Sequence, residues 1–393
     1  MLTKHSYDSN QSQSIVIILL LLSILSITFP KHTYSQQIED TSDQPQTLRG
    51  IIRVGCLLPL SGKYEKLGSS ALRGVFSAIE KVNDENYNFQ VVVKDFEEDA
   101  AKLRKAVFEL VNEDNVSLII GPIPSSYSKD VYSTVASLKV PTLIFPISYN
   151  LAPENPYFIK YSFPIEKQTE ILVKHAVEVV NVNTFGVLYP KTTIGELFKN
   201  SFVKNVKKYG KEIKHIGSYE SDLSDIDTEI QWLSHVEPQG IFIPDGASRS
   251  RKIMLKLKNK VYIANTLFLG PNTWNSASFQ QDLASRIDAD IFKVLFTDYF
   301  YTKSMSWVQF NEHFQTVIGD NPGFLEFQVH EGTRLVLEKL KHARGSGQLL
   351  LNNILSPVSG FDYTIKKTQF GTVEISPKPI LLTIKKGEII RLK

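Results

Sequence analysis

The runs "VSLIIGP", "VPTLIFP", "GIFIPDG" and "TLFLGP", which begin at Val116, Val140, Gly240 and Thr266, are apolar at nearly every position. A strand with one face in water alternates apolar and polar residues, so runs that are apolar on both faces belong in sheets covered on two sides. Helical patterns lie between them: "YSKDVYSTVASLK" separates the first two and "SRKIMLKLKN" the last two. Strands that alternate with helices pair in parallel, and the chain reads as α/β. The alternation begins with the strand in "IRVGCLLPLSGKYEKLGSSALRGVFSAIEKVN" and continues through "NFQVVVKDF". It restarts at "TFGVLYP", "GELFKNSFVKNVKKYG", "EIKHIGSYE" and "TEIQWLSHV". At 393 residues the chain exceeds one ordinary core, and the restart divides it into two doubly wound, Rossmann-like lobes. Further on, "KVLFTDYF" reads as a strand, "WVQFNEHFQTVIG" and "FQVHEGTRLVLEKLKHA" as helices, and the tail as strands around 361–364 and in "PILLTIKKGEIIRL". No short-period repeat is present, which removes solenoids and propellers.

The N-terminus points outside the cytoplasm. Residues 15–29, "IVIILLLLSILSITF", carry no charge, follow Lys4 and His5 and stop at Pro30. That stretch is short for a membrane span and fits the apolar region of a signal peptide, with cleavage expected after Ser35. Left uncleaved, it would be an N-terminal anchor. Residues 36–50 are polar and read as a linker. The single cysteine, Cys56, cannot close an internal disulfide. It lies well past the signal and inside an apolar strand, so it reads as a small core hydrophobe rather than a lipid acceptor or nucleophile.

Charge and motifs exclude several functions. The formal net charge is only +3 and the lysines are scattered, so neither nucleic acid nor an anionic membrane surface is an expected partner. The eight histidines form no His-Glu-x-x-His pair, and no metal is expected. "DLSDID" lacks the glycine and closing glutamate of a calcium loop and reads as a helix start, and no Gly-x-Ser-x-Gly elbow occurs. An enzyme is therefore not expected, nor is any cofactor. The loop from Pro59 to Gly68 holds Ser61, Gly62 and Gly68 at a strand-to-helix junction, where free N–H groups often hold phosphate, yet it fits neither phosphate fingerprint.

The segments "LLPLSGKYEKLGSSALRGVFSAIEKVN", "LIIGPIPSS", "VPTLIFPISYN", "NPYFIKYSFPIEKQ", "FGVLYPKTTIGELFKNSFVKNVKKYG" and "FLGPNTW", in this order, resemble the type I periplasmic solute-binding superfamily. The resemblance is to its leucine/isoleucine/valine-binding branch and covers about residue 51 to the C-terminus. The opening "LLPLSGKYEKLG" also looks like relatives that activate penicillin-binding proteins. The resemblance implies a first lobe of 51–165 plus 297–356 and a second of 166–296 plus 357–393. The lobes would surround a cleft, joined by crossings near 163–167, 290–297 and 356–361.

The resemblance also implies where a ligand would sit. Tyr64 and Leu67 belong to the first loop, which forms one lip of the family's cleft, its glycines letting backbone approach a ligand. Ser125, with Ser126, matches the carboxylate-binding serine at a helix N-terminus, although the same serines would serve as ordinary caps of the following helix. Ile147, Ser148 and Tyr149 match the second loop. The opposite wall would come from Ile194, Asp245, Gly246 and Asn272. The family's amino-acid binders hold the α-ammonium with acidic and aromatic residues, and here those positions fall on Ile165, with Glu166 adjacent, on Ile194 and on Asn272. An ammonium buried without those partners would lose several kcal/mol. The expected ligand is thus a small polar or amino-acid-like compound, anionic or neutral rather than a free α-amino acid. Two functions follow from the resemblance: a receptor delivering a small molecule to an ABC-type membrane permease, or a ligand-poor envelope protein acting on a peptidoglycan synthase.

Overall fold

The fully apolar runs are strands flanked on both faces by side chains from helices. The structure, a computed structural model, describes residues 50–148, 151–258, 260–276, 279–280 and 292–392. The expected export segment and linker lie outside the described residues. The chain opens with β1 (Gly50–Leu58), α1 (Glu65–Val82), β2 (Tyr87–Asp95), α2 (Ala100–Asn112), β3 (Leu118–Ile120), α3 (Ser128–Leu138), β4 (Thr142–Ile144) and β5 (Phe158–Tyr161). It crosses into α4 (Ile165–Glu178), β6 (Thr184–Pro190), α5 (Thr193–Lys208), β7 (Glu212–Tyr219), α6 (Ile226–Val236), β8 (Gly240–Phe242), α7 (Ala247–Leu257), β9 (Leu267–Gly270) and β10 (Lys293–Asp298). It returns for α8 (Met305–Ile318), α9 (Phe324–His342), α10 (Gly347–Asn353), β11 (Tyr363–Lys367) and β12 (Val373–Pro377), and ends with β13 (Ile380–Lys385) and β14 (Glu388–Arg391).

Two seven-stranded sheets result, ordered β11-β12-β5-β4-β3-β1-β2 and β14-β13-β10-β9-β8-β6-β7. Within each, the first five strands in chain order pair in parallel, with the first between the second and third. This is the doubly wound order that opens a crevice at the carboxyl ends of the strands. Successive side chains point to opposite faces: Val54, Cys56 and Leu58 enter one core of the first lobe and Leu57 the other. Phe185 and Val187 enter one core of the second lobe and Leu188 the other. Each such buried side chain contributes about 1.5–3 kcal/mol, which is why the inward positions of these strands are apolar while Arg53 of β1 is left exposed. Burial also pushes the Cys56 thiol up to about 12, leaving it protonated and unreactive.

The tail departs from expectation. β12 pairs in parallel with β5, and the β11–β12 hairpin therefore belongs to the first sheet. Val373 and Ile375 are fully buried in the first-lobe core, so residues 357–377 stay with that lobe. The last crossing lies between Pro377 and Ile380 rather than at 356–361. The middle crossing is displaced too: Thr297 and Asp298 still pair with Leu381 and Ile380 in the second sheet, and the chain leaves it only at Tyr299.

The glycine-marked junction after β1 has a packing explanation. A Cβ on Gly68 would stand 2.0 Å from the Pro59 carbonyl oxygen, so only glycine lets α1 approach the end of β1 this closely. Two of the loop's donors are spent internally: Leu60 N–H donates to Asp95 Oδ1 at 3.0 Å and Tyr64 N–H to Glu98 Oε1 at 2.8 Å. The second lobe repeats the device, since a Cβ on Gly195 would meet the Pro190 carbonyl oxygen at 2.2 Å.

Candidate functional site

A cavity of about 460 Å³ opens between the lobes. The first lobe supplies Pro146 and Ile147, just after β4, and Phe324 and Gln328 from α9. Phe163 comes from the first crossing, Ile165 and Gln168 from the first turns of α4, Ile194 and Phe198 from α5, and Asn272, Thr273, Asn275 and Ser276 from the loop after β9. No ionisable side chain is among these lining residues.

Buried hydrogen bonds hold the polar part of the wall. Gln168, 3% exposed, donates Nε2–H to the Phe163 carbonyl at 3.1 Å and accepts from the Asn272 N–H at 3.0 Å, tying the first crossing to the β9 loop. That loop is anchored by Trp274, fully buried, whose indole donates to Ser250 Oγ at 3.1 Å. The ring fits because residue 270 is glycine; a Cβ there would meet it at 2.1 Å. Thr273 Oγ1 donates to the Asp245 carbonyl at 2.9 Å. Asn275 Nδ2 donates to Asp298 Oδ2 at 2.9 Å and to the Phe300 carbonyl at 3.2 Å. Both amide hydrogens of Asn275 are thereby used on the second crossing. Asp298 is 1% exposed, and burial pushes its carboxyl up to about 8, against the opposing effect of the Asn275 amide and the Tyr299 and Phe300 N–H groups.

The sequence-selected residues divide. Ile147, Ile194 and Asn272 line the cavity. Ser148 and Glu166 face each other across the first crossing, the Ser148 hydroxyl donating to Glu166 Oε1 at 2.7 Å, and Glu166 Oε2 is buried with no hydrogen-bond partner among the described residues. The Ile165 N–H donates to the Ile147 carbonyl at 3.2 Å, joining the same two segments through backbone. Tyr149 lies outside the described residues.

The remaining residues are placed elsewhere. Asp245 spends its carboxylate on Arg249, whose Nε and Nη2 donate at 2.7 and 2.6 Å, on the Tyr219 hydroxyl at 2.9 Å and on the Gly246 N–H at 2.6 Å. Gly246 is the N-cap of α7. Tyr64 is pinned to Glu98, and Leu67 packs on the first-lobe core, so neither lines the cavity. Ser125 and Ser126 form a short 3-10 turn before α3; the cap positions are Pro124 and Tyr127, and neither serine caps the helix or lines the cavity. The helix-cap expectation fails because both serines lie inside the 3-10 turn, which leaves the cap position immediately before Ser128 to Tyr127.

Sequence reading missed Phe163, Gln168 and Phe198, although "SFPIEKQ" and "GELFKN" carried them within segments already singled out. It also missed Asn275, and Phe324 and Gln328 on α9, which no local pattern marks and which fold topology alone delivers.

Comparison with known proteins comes to the same architecture. Residues 51–346 match the family model described as periplasmic binding protein. Among curated proteins none matches the sequence. A leucine binding protein from Thermotoga maritima superposes with a TM-score of 0.62 at 15% identity, covering 87% of this chain and 98% of that one. A branched-chain amino acid transporter substrate binding protein from Streptococcus pneumoniae, in complex with isoleucine, gives 0.61 at 16% identity over 87% and 100%. A solute binding protein of an ABC transporter from R. palustris, in complex with benzoate, gives 0.62 at 14% identity over 87% and 96%. At these identities the likeness is one of fold.

Proposed function

The chain belongs to the periplasmic binding protein family, and from that premise we propose that it is an extracytoplasmic solute receptor, not an enzyme, that delivers one small molecule to an ABC-type permease. The observation that carries this reading is the cavity between the lobes, of a volume ordinary for small ligands and walled from both sides. Export is supported by the family and by the apolar segment at 15–29. No helix among the described residues is long and apolar enough to cross a membrane. The alternative, an envelope protein acting on a peptidoglycan synthase, draws support from none of these matches.

The ligand is a compact, uncharged compound with an apolar or aromatic body and one hydrogen-bonding end. Ile147, Phe163, Ile165, Ile194, Phe198 and Phe324 would surround the body. The Asn272 and Gln328 amides, whose side chains make no hydrogen bond among the described residues, and Asn275 Oδ1 would meet the polar end. An ammonium or carboxylate placed against these walls would be desolvated without a countercharge, which costs several kcal/mol.

A thermal-shift screen of the full chain tests the proposal, with benzamide and other neutral amides and alcohols set against isoleucine and benzoate. A neutral hit at about 100 times its dissociation constant stabilises by about 2.7 kcal/mol. Tight isoleucine binding would overturn the ligand class, and absence of any shift across all classes would overturn the receptor reading.

A further inference from the structure

A second cavity, of about 440 Å³, lies where the crossings between the lobes come together. Tyr161 ends the last strand before the first crossing, Tyr299 starts the second and Pro377 starts the third, and all line it. Its floor is α9, where Phe327, Glu331, Arg334 and Leu335 follow one another at helical spacing on one face. Gly332 on the same helix has no Cβ to collide with Tyr161; one would stand 2.8 Å from the ring. The cavity is distinct from the cleft, and Tyr299 is part of the partition. Its ring packs edge-on against Phe163 and Phe324 of the cleft wall, with centroids 5.5 and 5.8 Å away, and stacks on Phe327 of this cavity at 5.9 Å.

The polar groups here are unlike those of the cleft: two acids line this cavity, Glu331, which is bound to Arg334, and Asp362, which is paired with Lys378 at 2.5 Å, and the donors left over are two phenols and one guanidinium edge. The Tyr299 hydroxyl is buried with no hydrogen-bond partner among the described residues, and the Tyr161 hydroxyl makes no hydrogen bond there either. Burial holds both phenols well above their ordinary range, so both remain O–H donors. Arg334 lies with its guanidinium carbon 3.9 Å from the centre of the Phe361 ring. It spends Nε and Nη2 on Glu331 at 3.2–3.4 Å, and its Nη1 edge makes no hydrogen bond among the described residues. Two phenols and one guanidinium edge call for a group that only accepts, and a carboxylate offers about four lone-pair sites in a plane that matches the guanidinium fork. Phe327 and Leu335 would cover an apolar tail.

We propose that this hinge cavity is a second small-molecule site, which takes a compact monocarboxylate with its oxygens on Arg334, Tyr161 and Tyr299. The crossings that line it are the segments that must flex when the lobes move, so a ligand here acts on the hinge and leaves the cleft free.

Calorimetric titration of the full chain with phenylacetate tests the assignment, with phenylacetamide as the uncharged control titrated into Ile194→Trp, whose filled cleft cannot take it. Phenylacetate should bind at one site per chain, with phenylacetamide at least tenfold weaker. Tyr299→Phe, which preserves the ring packing, should weaken phenylacetate several-fold, and Arg334→Met, which keeps an apolar stem over Phe361, at least tenfold. Ile194→Trp, which fills the cleft, should leave phenylacetate binding unchanged. Loss of binding in Ile194→Trp with none in Tyr299→Phe would move the ligand to the cleft and overturn the proposal. So would the absence of any heat up to 10 mM phenylacetate, or equal affinity for the amide. Phenylacetate bound in the cleft would also overturn the uncharged ligand class proposed there, whereas the other outcomes leave that reading standing.

Discussion

The two lobes enter their first helices by the same construction and use it differently. In each, a proline carbonyl at the end of the strand, Pro59 or Pro190, lies against a glycine of the helix, Gly68 or Gly195. In the second lobe the helix that follows carries Ile194 and Phe198 into the cavity. In the first lobe the equivalent loop is folded back onto its neighbours by Asp95 and Glu98, and Leu67 turns into the core. A glycine at such a junction is therefore evidence of close helix packing. Whether the loop also reaches a ligand depends on where its N–H groups are already spent.

The largest effect should come from the shared device itself. Gly68→Ala and Gly195→Ala each force a Cβ against backbone oxygen, and each should lower unfolding free energy by about 3 kcal/mol or more in urea titrations. If Gly195→Ala alone were costly, the two junctions would not be equivalent.

Next comes ligand binding in the cleft. Ile194→Trp should reduce affinity for a neutral ligand at least tenfold, since the ring occupies the space beside Phe198, while stability changes by less than about 1.5 kcal/mol. Paired thermal-shift and titration curves separate the two.

Asp298 gives an intermediate, pH-dependent effect. Its folded-state carboxyl is raised from 3.8 to about 8 by burial, so between those values the native state holds a proton that the unfolded chain has lost. Stability attributable to this group is fully present below about pH 4 and is lost as pH rises through about 8. Asp298→Asn should flatten the decline in melting temperature between pH 4 and 8; an unchanged slope would assign the decline elsewhere.

The smallest effect is expected at Ser125, which is only half-buried and contributes neither a cap nor a cavity wall. Ser125→Ala should change stability by no more than about 0.5 kcal/mol in urea titrations.

The α/β class and the two-lobed architecture were legible because "VSLIIGP" and "GIFIPDG" have no polar face to offer water. The destination of the tail was not. The alternation of Val373 and Ile375 marks a strand without saying which sheet will pair with it, and only the partnership with β5 assigns it. Part of the cavity lining was legible on the loops after β4 and β9, where Ile147 and Asn272 stand at strand ends. It was not legible at Phe324 or Gln328, which reach the cavity from a helix more than a hundred residues away from the first-lobe loop they face. That Ser125 lies outside this cavity was not legible either, because a serine at the start of a helical pattern looks the same in sequence whether its turn opens toward the cavity or not.

The account rests on the cleft being walled by α5 and the β9 loop rather than by the Ser125 turn. Titration of one neutral ligand into the wild type, Ile194→Trp and Ser125→Trp tests this most directly. The account predicts that Ile194→Trp loses binding while Ser125→Trp retains wild-type affinity. Loss in Ser125→Trp with retention in Ile194→Trp would contradict it.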